Sequence, residues 1–328
     1  MHFLDNKTIL VTGGTGSFGK AIIKKIINET NAMKIIVFSR DELKQFEMQD
    51  TFRTSKIHYQ LGDVRDFERL NSVFSGVDFV IHAAAMKQIP ASENNPSEAI
   101  KTNIIGAENV INASIANKVK KVIALSTDKA SNPINLYGAT KLCSDKLMVA
   151  GNKINSNHAT KFSAVRYGNV LGSRGSVIPF FLEQKKVGII PITDVRMTRF
   201  WITLNQGVDF VLTCLSEMLG GEIFVPKIPS FKVIDLAEII APDVPKRIVG
   251  IRPGEKIHEV MITEDDAPYT VETNFGYAIL TTELLEHMHY SRSAKKVPES
   301  FRYSSDNNPS WFTPDSFRKL LVENDILN

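Results

Sequence analysis

Short apolar runs alternate with longer, mixed stretches through the first half of the chain. Residues 7–12, 34–38, 56–61, 79–83, 121–125 and 162–166 are such runs, most of them rich in β-branched residues. Strands of a parallel sheet read this way, because helices cover both faces and neither face needs polar residues. Residues 17–28, 41–52, 96–117 and 137–151 read as helices. In 96–117, Ile100, Ile104, Val110, Ile111 and Ile115 fit one buried face only loosely. Repeated βα units predict an α/β fold: a Rossmann-type doubly wound parallel sheet with right-handed crossovers.

After about Val170 the rhythm breaks. Loop-like stretches at 172–179, 220–230 and 252–255 alternate with short helices. Residues 304–314 are polar and turn-rich, and 315–321 read as a last helix. This predicts a dinucleotide-binding domain over 1–170. Residues 171–328 form mostly a smaller C-terminal substrate-binding lobe, with some segments returning to the first domain.

Composition narrows the classes. Of 328 residues, 43% are hydrophobic and 23% charged, the balance of an ordinary globular chain. A net charge of +3, dispersed along the chain, gives no footprint for nucleic acid. No apolar run could span a bilayer, and the first residues lead into a strand rather than a leader, so no membrane partner is expected and the cytoplasm is. Cys143 and Cys214 lack metal-ligand spacing and read as core thiols in a reducing compartment. No metal is expected. His258-Glu259 has no second histidine at zinc-helix spacing, and His287 and His289 read as surface residues.

The first chemistry lies at the end of the first run. Gly13, Gly16 and Gly19, with Thr15, Ser17 and Phe18 between them, stand between a strand and a helix. Glycines there permit a tight turn and close approach of a pyrophosphate to a helix N-terminus, so a dinucleotide is expected. After the second run come Ser39, Arg40, Asp41 and Lys44. An acidic residue at the strand end would select NAD, whereas Arg and Lys match a 2′-phosphate, so NADP is preferred, with Asp41 read as a helix cap. Asp63 and Val64 are expected near adenine. Ala83 and Ala85 give the cofactor room, and His82 reads as a structural histidine. Val170 closes the cofactor set.

Tyr137 and Lys141 are four residues apart, so a helix puts both on one face. The lysine charge would then lower the phenol's pKa. Thr127 stands ten residues before Tyr137, and Asp128 and Lys129 follow it directly. A reductase needs only Thr127, Tyr137 and Lys141. The added acid and amine, at the carboxyl edge of a strand, suggest chemistry beyond hydride transfer.

These motifs resemble the extended short-chain dehydrogenase/reductases. Within them, residues 4–261 resemble the inverting UDP-N-acetylglucosamine 4,6-dehydratases that open pseudaminic acid biosynthesis. The matching segments include 12–19, 39–44, 125–146, 165–170, 197–201 and 251–256. Gln88 departs from a usual His, Ser131 from a usual Ala, and Ala91-Ser92 also looks unusual. Beyond about residue 262 the resemblance fades.

The resemblance implies a reaction. Tyr137 deprotonates the sugar C4 hydroxyl, Thr127 bonds that hydroxyl, Lys141 holds the cofactor ribose, and hydride passes to NADP+. The 4-keto group acidifies C5. Lys129 removes the C5 proton, Asp128 protonates the departing C6 hydroxyl, hydride returns to C6, and C5 is inverted. Lys129 must be neutral to do this; burial and Lys141 would favour that, and Asp128 would oppose it. It also implies that Arg199 and Arg252 bind the diphosphate of UDP-N-acetylglucosamine, with Lys87, Asn169, Arg174, Thr193 and Glu255 as further substrate contacts. Phe180, Phe181, Phe200 and Trp201 are mostly core. Similar enzymes are homo-oligomers. Competing readings are a 4-epimerase, a dehydratase/epimerase and a non-catalytic NADP-binding protein.

Overall fold

The computed structural model describes residues 1–154, 159–173, 175–286 and 294–327. β1 (Thr8–Thr12), β2 (Lys34–Ser39), β3 (Ile57–Leu61), β4 (Phe79–His82), β5 (Lys121–Leu125) and β6 (Lys161–Val165) run parallel in the order 3-2-1-4-5-6. This is the expected Rossmann-type sheet. The order reverses between β1 and β4, and sheets of this kind bind ligands beyond the strand ends at that point.

Alternation along the strands sorts the core. Ile9, Val11, Ile35 and Val37 belong to one apolar layer, and Leu10, Ile36 and Phe38 to the other. Successive side chains point to opposite faces, so two apolar layers require an unbroken apolar run. Each fully buried side chain of this size contributes about 1.5–3 kcal/mol.

Among the described residues, the second half extends the sheet to ten strands. Ile223–Val225 pairs parallel with β6, and Tyr277–Ile279, Thr270–Glu272 and Lys295–Lys296 continue antiparallel. A separate core gathers Trp201, Phe231, Leu236 and Phe317, with the Phe231 and Phe317 rings stacked at 4.4 Å. Phe317 lies on the helix Pro314–Glu323, which a Thr313/Ser316 capping box starts. Residues beyond 262 thus widen the sheet and close the lobe.

Three expectations change. The helix expected over 96–117 runs as Pro96–Ile100, a π-helical turn Lys101–Ile105, and Gly106–Ala116. The wide turn shifts the helical phase, which is why its apolar positions fit one face poorly: Ile100 and Ile105 are exposed, Val110 and Ile111 buried. The loop expected over 172–179 gives way to the helix Val177–Val187, where Pro179 is tolerated in the first turn. Cys214 is buried, but Cys143 is exposed. On the helix Leu136–Ile154 the buried face is set by Gly138, Thr140, Lys141, Ser144, Asp145, Met148 and Gly151, and Cys143 falls outside it. His287 and His289 lie outside the described residues. Among the described residues no helix is long and apolar enough to cross a membrane, and no cluster is placed to hold a metal ion.

Candidate active site

One cavity of about 1320 Å³ opens over the carboxyl ends of β1, β4 and β5 and under the lobe. It is lined by every cofactor and substrate residue expected above except Arg174, which lies outside the described residues. The chain thus brings together groups as distant in sequence as Gly13 and Glu255.

The floor is the turn after β1. Gly13 has φ +65° and packs so tightly that a Cβ would lie 2.8 Å from the Ala84 nitrogen. A Cβ on Gly19 would collide with the Gly14 backbone. The helix Ser17–Glu29 starts at Gly16 with no side-chain cap, leaving its first N–H groups turned toward the cavity. Backbone donors, a helix N-terminus and absent side chains fit a pyrophosphate. Thr12 Oγ1 and His82 Nδ1 meet at 2.8 Å, and burial, then the Lys141 charge, push His82 down to about 3. A neutral, bonded histidine has a structural role.

At the adenosine end Asp41 accepts from the Lys44 backbone N–H at 3.0 Å and pairs with the Lys44 amine. It is the N-cap of the helix Glu42–Thr51. Asp63 is held by Arg65 Nη2 at 2.6 Å and more loosely by Arg40 Nη1 at 3.4 Å. Arg40 keeps 57% of its side chain exposed at the cavity rim.

The chemical end is built on a short 3-10 turn, Asp128–Ala130, that follows β5. Thr127 Oγ1 donates to Asp128 Oδ1 at 2.9 Å, and Lys129 Nζ donates to the same oxygen at 3.0 Å. Asp128 Oδ2 is buried and, among the described residues, has no hydrogen-bond partner. Glu259 Oε1 lies 3.3 Å from Lys129 Nζ. The helix carrying Tyr137 and Lys141 is anchored from three sides. Leu136 N–H donates to Glu93 Oε1 at 2.7 Å, Asn135 Nδ2 to the Gly254 carbonyl at 2.8 Å, and Asn103 Nδ2 to Thr140 Oγ1 at 2.9 Å. Asn103 comes from the π turn and also brackets the Met86 backbone at 2.8 and 2.9 Å. The irregular turn therefore ties the cofactor side to the catalytic helix.

Electrostatics correct two expectations. Burial pushes Tyr137 up to about 12; the opposing pull comes from Lys129 and the Thr127 hydrogen bond, not chiefly from Lys141. Lys141 itself lies below the usual lysine range because burial outweighs Asp145. Burial also pulls Lys129 down, but Asp128 and Glu259 outweigh it, and the amine is held above the usual range. It is charged in the resting protein. Asp128 is raised by burial, with Glu259 adding to the rise and Lys129 opposing it.

Arg199 lines the cavity, but its guanidinium faces protein. Nη1 donates to the Thr198 and Ile257 carbonyls at 2.6 and 2.9 Å, and Nη2 to the Lys256 carbonyl at 2.9 Å. These bonds give it a bracing role. Arg252 is exposed at the rim, and Asn169 stands on a short strand paired with Trp201. Glu255 Oε2 is buried and has no hydrogen-bond partner among the described residues. Desolvation holds the Lys87 amine below its usual range. Phe181, Phe200 and Trp201 are buried, while Phe180 is 38% exposed. Sequence reasoning missed Glu259, dismissed with His258 as an incomplete metal pair. The available signal was its place three residues after Lys256, at the end of the 251–256 segment.

Comparison with known proteins agrees with this geometry. The family model described as "Polysaccharide biosynthesis protein" matches residues 9–280. A Campylobacter jejuni protein named UDP-N-acetylglucosamine 4,6-dehydratase (inverting) is 56% identical, covering 99% of this chain and 98% of its own. A Rickettsia typhi protein named UDP-glucose 4-epimerase is 45% identical over 93% of this chain and 92% of its own. The X-ray structure of Pen from Bacillus thuringiensis superimposes with a TM-score of 0.92 at 37% identity, covering 99% of this chain and all of that one. The chain belongs to the polysaccharide biosynthesis protein family, within the extended short-chain dehydrogenase/reductases.

Proposed function

We propose that this protein converts UDP-N-acetylglucosamine to the UDP-2-acetamido-2,6-dideoxy-hexos-4-ulose of L-arabino configuration, with inversion at C5. The observation that carries the reading is the ion pair of buried Asp128 with half-buried Lys129, in one cavity with Thr127, Tyr137 and Lys141. Tyr137 Oη takes the proton of the C4 hydroxyl, and Thr127 orients that hydroxyl. Lys129 and the Thr127 hydrogen bond favour the phenolate, and Lys141, one helical turn along, holds the cofactor ribose. A nicotinamide cofactor, held over Gly13, Gly16 and Lys141, would supply the two-electron chemistry that links C4 and C6. Lys129 removes the proton that the 4-keto group acidifies at C5, Asp128 protonates the leaving C6 hydroxyl, and once C6 is reduced a proton is delivered to C5 on the opposite face, which inverts it.

The cofactor we assign is NADP, on Arg40 and Lys44 at the adenosine rim and on Asp41 being engaged as a cap. Arg252, Lys87, Asn169, Thr193 and Glu255 are assigned to the nucleotide sugar. By the same reading the protein acts in the cytoplasm as a homo-oligomer, and its product enters pseudaminic acid biosynthesis for flagellar or other surface glycans.

The relatives named 4-epimerase favour one second reading, oxidation and return of hydride at C4 alone. NMR of the product formed in D2O decides between them. Deuterium at C5, a 4-keto or hydrated sugar and L-configuration support dehydration. A product of unchanged mass, with C4 inverted, supports the epimerase.

A further inference from the structure

The lobe adds a charge to the catalytic pair. Glu259 directly precedes the strand Val260–Ile262, and its side chain is 3% exposed. Its Oε1 lies 3.3 Å from Lys129 Nζ and 3.8 Å from Arg199 Nε, and its Oε2 lies 4.0 Å from Lys256 Nζ. On the other side of Lys129, Asp128 meets that amine at 3.0 Å and, among the described residues, pairs with no other cation. Two buried carboxylates therefore flank one amine with unequal counter-charge.

We propose that Glu259 is a positioning residue for the proton-transfer pair: braced by Arg199 and Lys256, it stays ionised, holds the Lys129 amine beside Asp128, and leaves Asp128 as the carboxyl that takes the lysine's proton. The chemistry of the step rests on the dehydratase reading above. At rest the pair is ammonium and carboxylate. A proton passing from Nζ to Oδ1 along the 3.0 Å contact makes an amine and a carboxylic acid with no net change of charge. The amine's lone pair then takes the C5 proton. The electrons of that C–H bond form the C5–C6 double bond as the C6–O bond breaks. The carboxylic proton joins the departing oxygen, which leaves as water. The pair ends as ammonium and carboxylate again.

The asymmetry of the two carboxyls follows from their neighbours. Burial raises both. For Glu259 the charges of Lys129, Arg199 and Lys256 outweigh burial and hold it below the usual range. For Asp128, Lys129 is the one cation that opposes burial, helped by the Thr127 hydrogen bond, while Glu259 reinforces burial. The Tyr137 phenol from the helix Leu136–Ile154 also faces the cluster and is neutral at rest.

Two measurements test this. In the unmutated full-length protein with bound NADP+, 13C-carboxyl NMR should show Asp128 gaining its proton at higher pH than Glu259. Removing the charge with Glu259→Gln should lower kcat and move both limbs of the kcat/KM profile to lower pH by about one unit, since Asp128 and Lys129 both lose a neighbouring anion. Glu259→Asp keeps the charge, so it should restore the position of the profile while kcat stays reduced. Glu259 protonating before Asp128 overturns the proposal, as does a Gln variant slower than wild type with an unmoved profile. The carboxyl titration needs no variant to fold. Failure of the wild-type protein to dehydrate UDP-N-acetylglucosamine would sink the functional reading, and the order of the two carboxyl titrations would still decide the role of Glu259.

Discussion

Gly138 lies directly against the Lys129 carbonyl. A Cβ at this position would collide with that oxygen and come within 3.1 Å of Pro133 Cβ. The contact sets how closely the helix bearing Tyr137 and Lys141 approaches the turn bearing Asp128 and Lys129. An alanine would gain up to about 1 kcal/mol of helix propensity. It would also force helix and turn apart, and overpacking of this kind costs about 1–3 kcal/mol. Because Thr127, Lys129 and Tyr137 must act on one sugar ring, the displacement should harm turnover more than stability. We expect Gly138→Ala to lower kcat by roughly 100-fold with only a modest loss of Tm. Turnover at the wild-type rate, measured with UDP-N-acetylglucosamine, would show that the spacing is unimportant.

Lys129 is both a reactant and a counter-charge, and two substitutions separate the roles. Lys129→Met leaves Asp128 and Glu259 buried without their shared cation, and breaking a buried pair this way costs about 3–5 kcal/mol. Lys129→Arg keeps the charge, but a guanidinium does not lose its proton in a protein. Both variants should lose dehydration by about 100- to 10,000-fold. Only the Met variant should melt markedly earlier. Turnover by the Arg variant comparable with wild type would remove Lys129 from the role of base.

Much of this site was legible because its parts are local. The glycines after β1, the Thr127-Asp128-Lys129 run and the Tyr137/Lys141 pair each lie within one short segment, and strand-end placement in a doubly wound sheet brings them to one edge. What escaped depended on contacts across the chain. Glu259 reaches Lys129 only because the lobe folds back over the sheet, and its place just beyond the 251–256 segment marks the neighbourhood but not the contact. Arg199 looked free in a loop-rich half, yet three carbonyls of its surroundings engage its guanidinium. The π turn around Asn103 was hidden for a different reason: its irregular phase blurred the periodicity that would have announced a plain helix. The charge state of Lys129 was open in sequence because it is set by a competition between burial and two carboxylates, one of them unseen.

Arg40 and Lys44 stand at the rim where a 2′-phosphate would sit if the cofactor is NADP. Each would give a charge-assisted hydrogen bond to the phosphate, worth roughly 1.5–3 kcal/mol. NAD lacks that phosphate. Arg40→Ala should therefore weaken NADP+ by roughly 10- to 100-fold and leave NAD+ nearly unchanged, read by fluorescence titration of both nucleotides. Equal weakening of the two would assign Arg40 to the adenine or to holding Asp63 in place.

His82 ties acid stability to the cofactor floor. Its folded-state pKa, pushed down to about 3 from 6.5 by burial and by the charge of Lys141, lies below its unfolded value. The unfolded chain therefore binds a proton that the folded chain refuses. Stability attached to the neutral ring is complete above pH about 6.5 and is lost as pH falls toward about 3. The slope of one such proton is about 1.4 kcal/mol per pH unit. Carboxylates with lowered pKa values, Asp78 among them, lose stability in the lower part of the same range, so the wild-type curve alone does not isolate the histidine. The difference between wild type and His82→Asn does, since asparagine can still meet Thr12 Oγ1 but cannot ionise. Urea unfolding from pH 7 to pH 4 should show the wild type losing stability faster than the variant, most clearly between pH about 6 and 5, above the range in which most carboxylates titrate. Parallel curves would mean that the ring accepts its proton in place, and that the Thr12–His82 contact survives in the charged form.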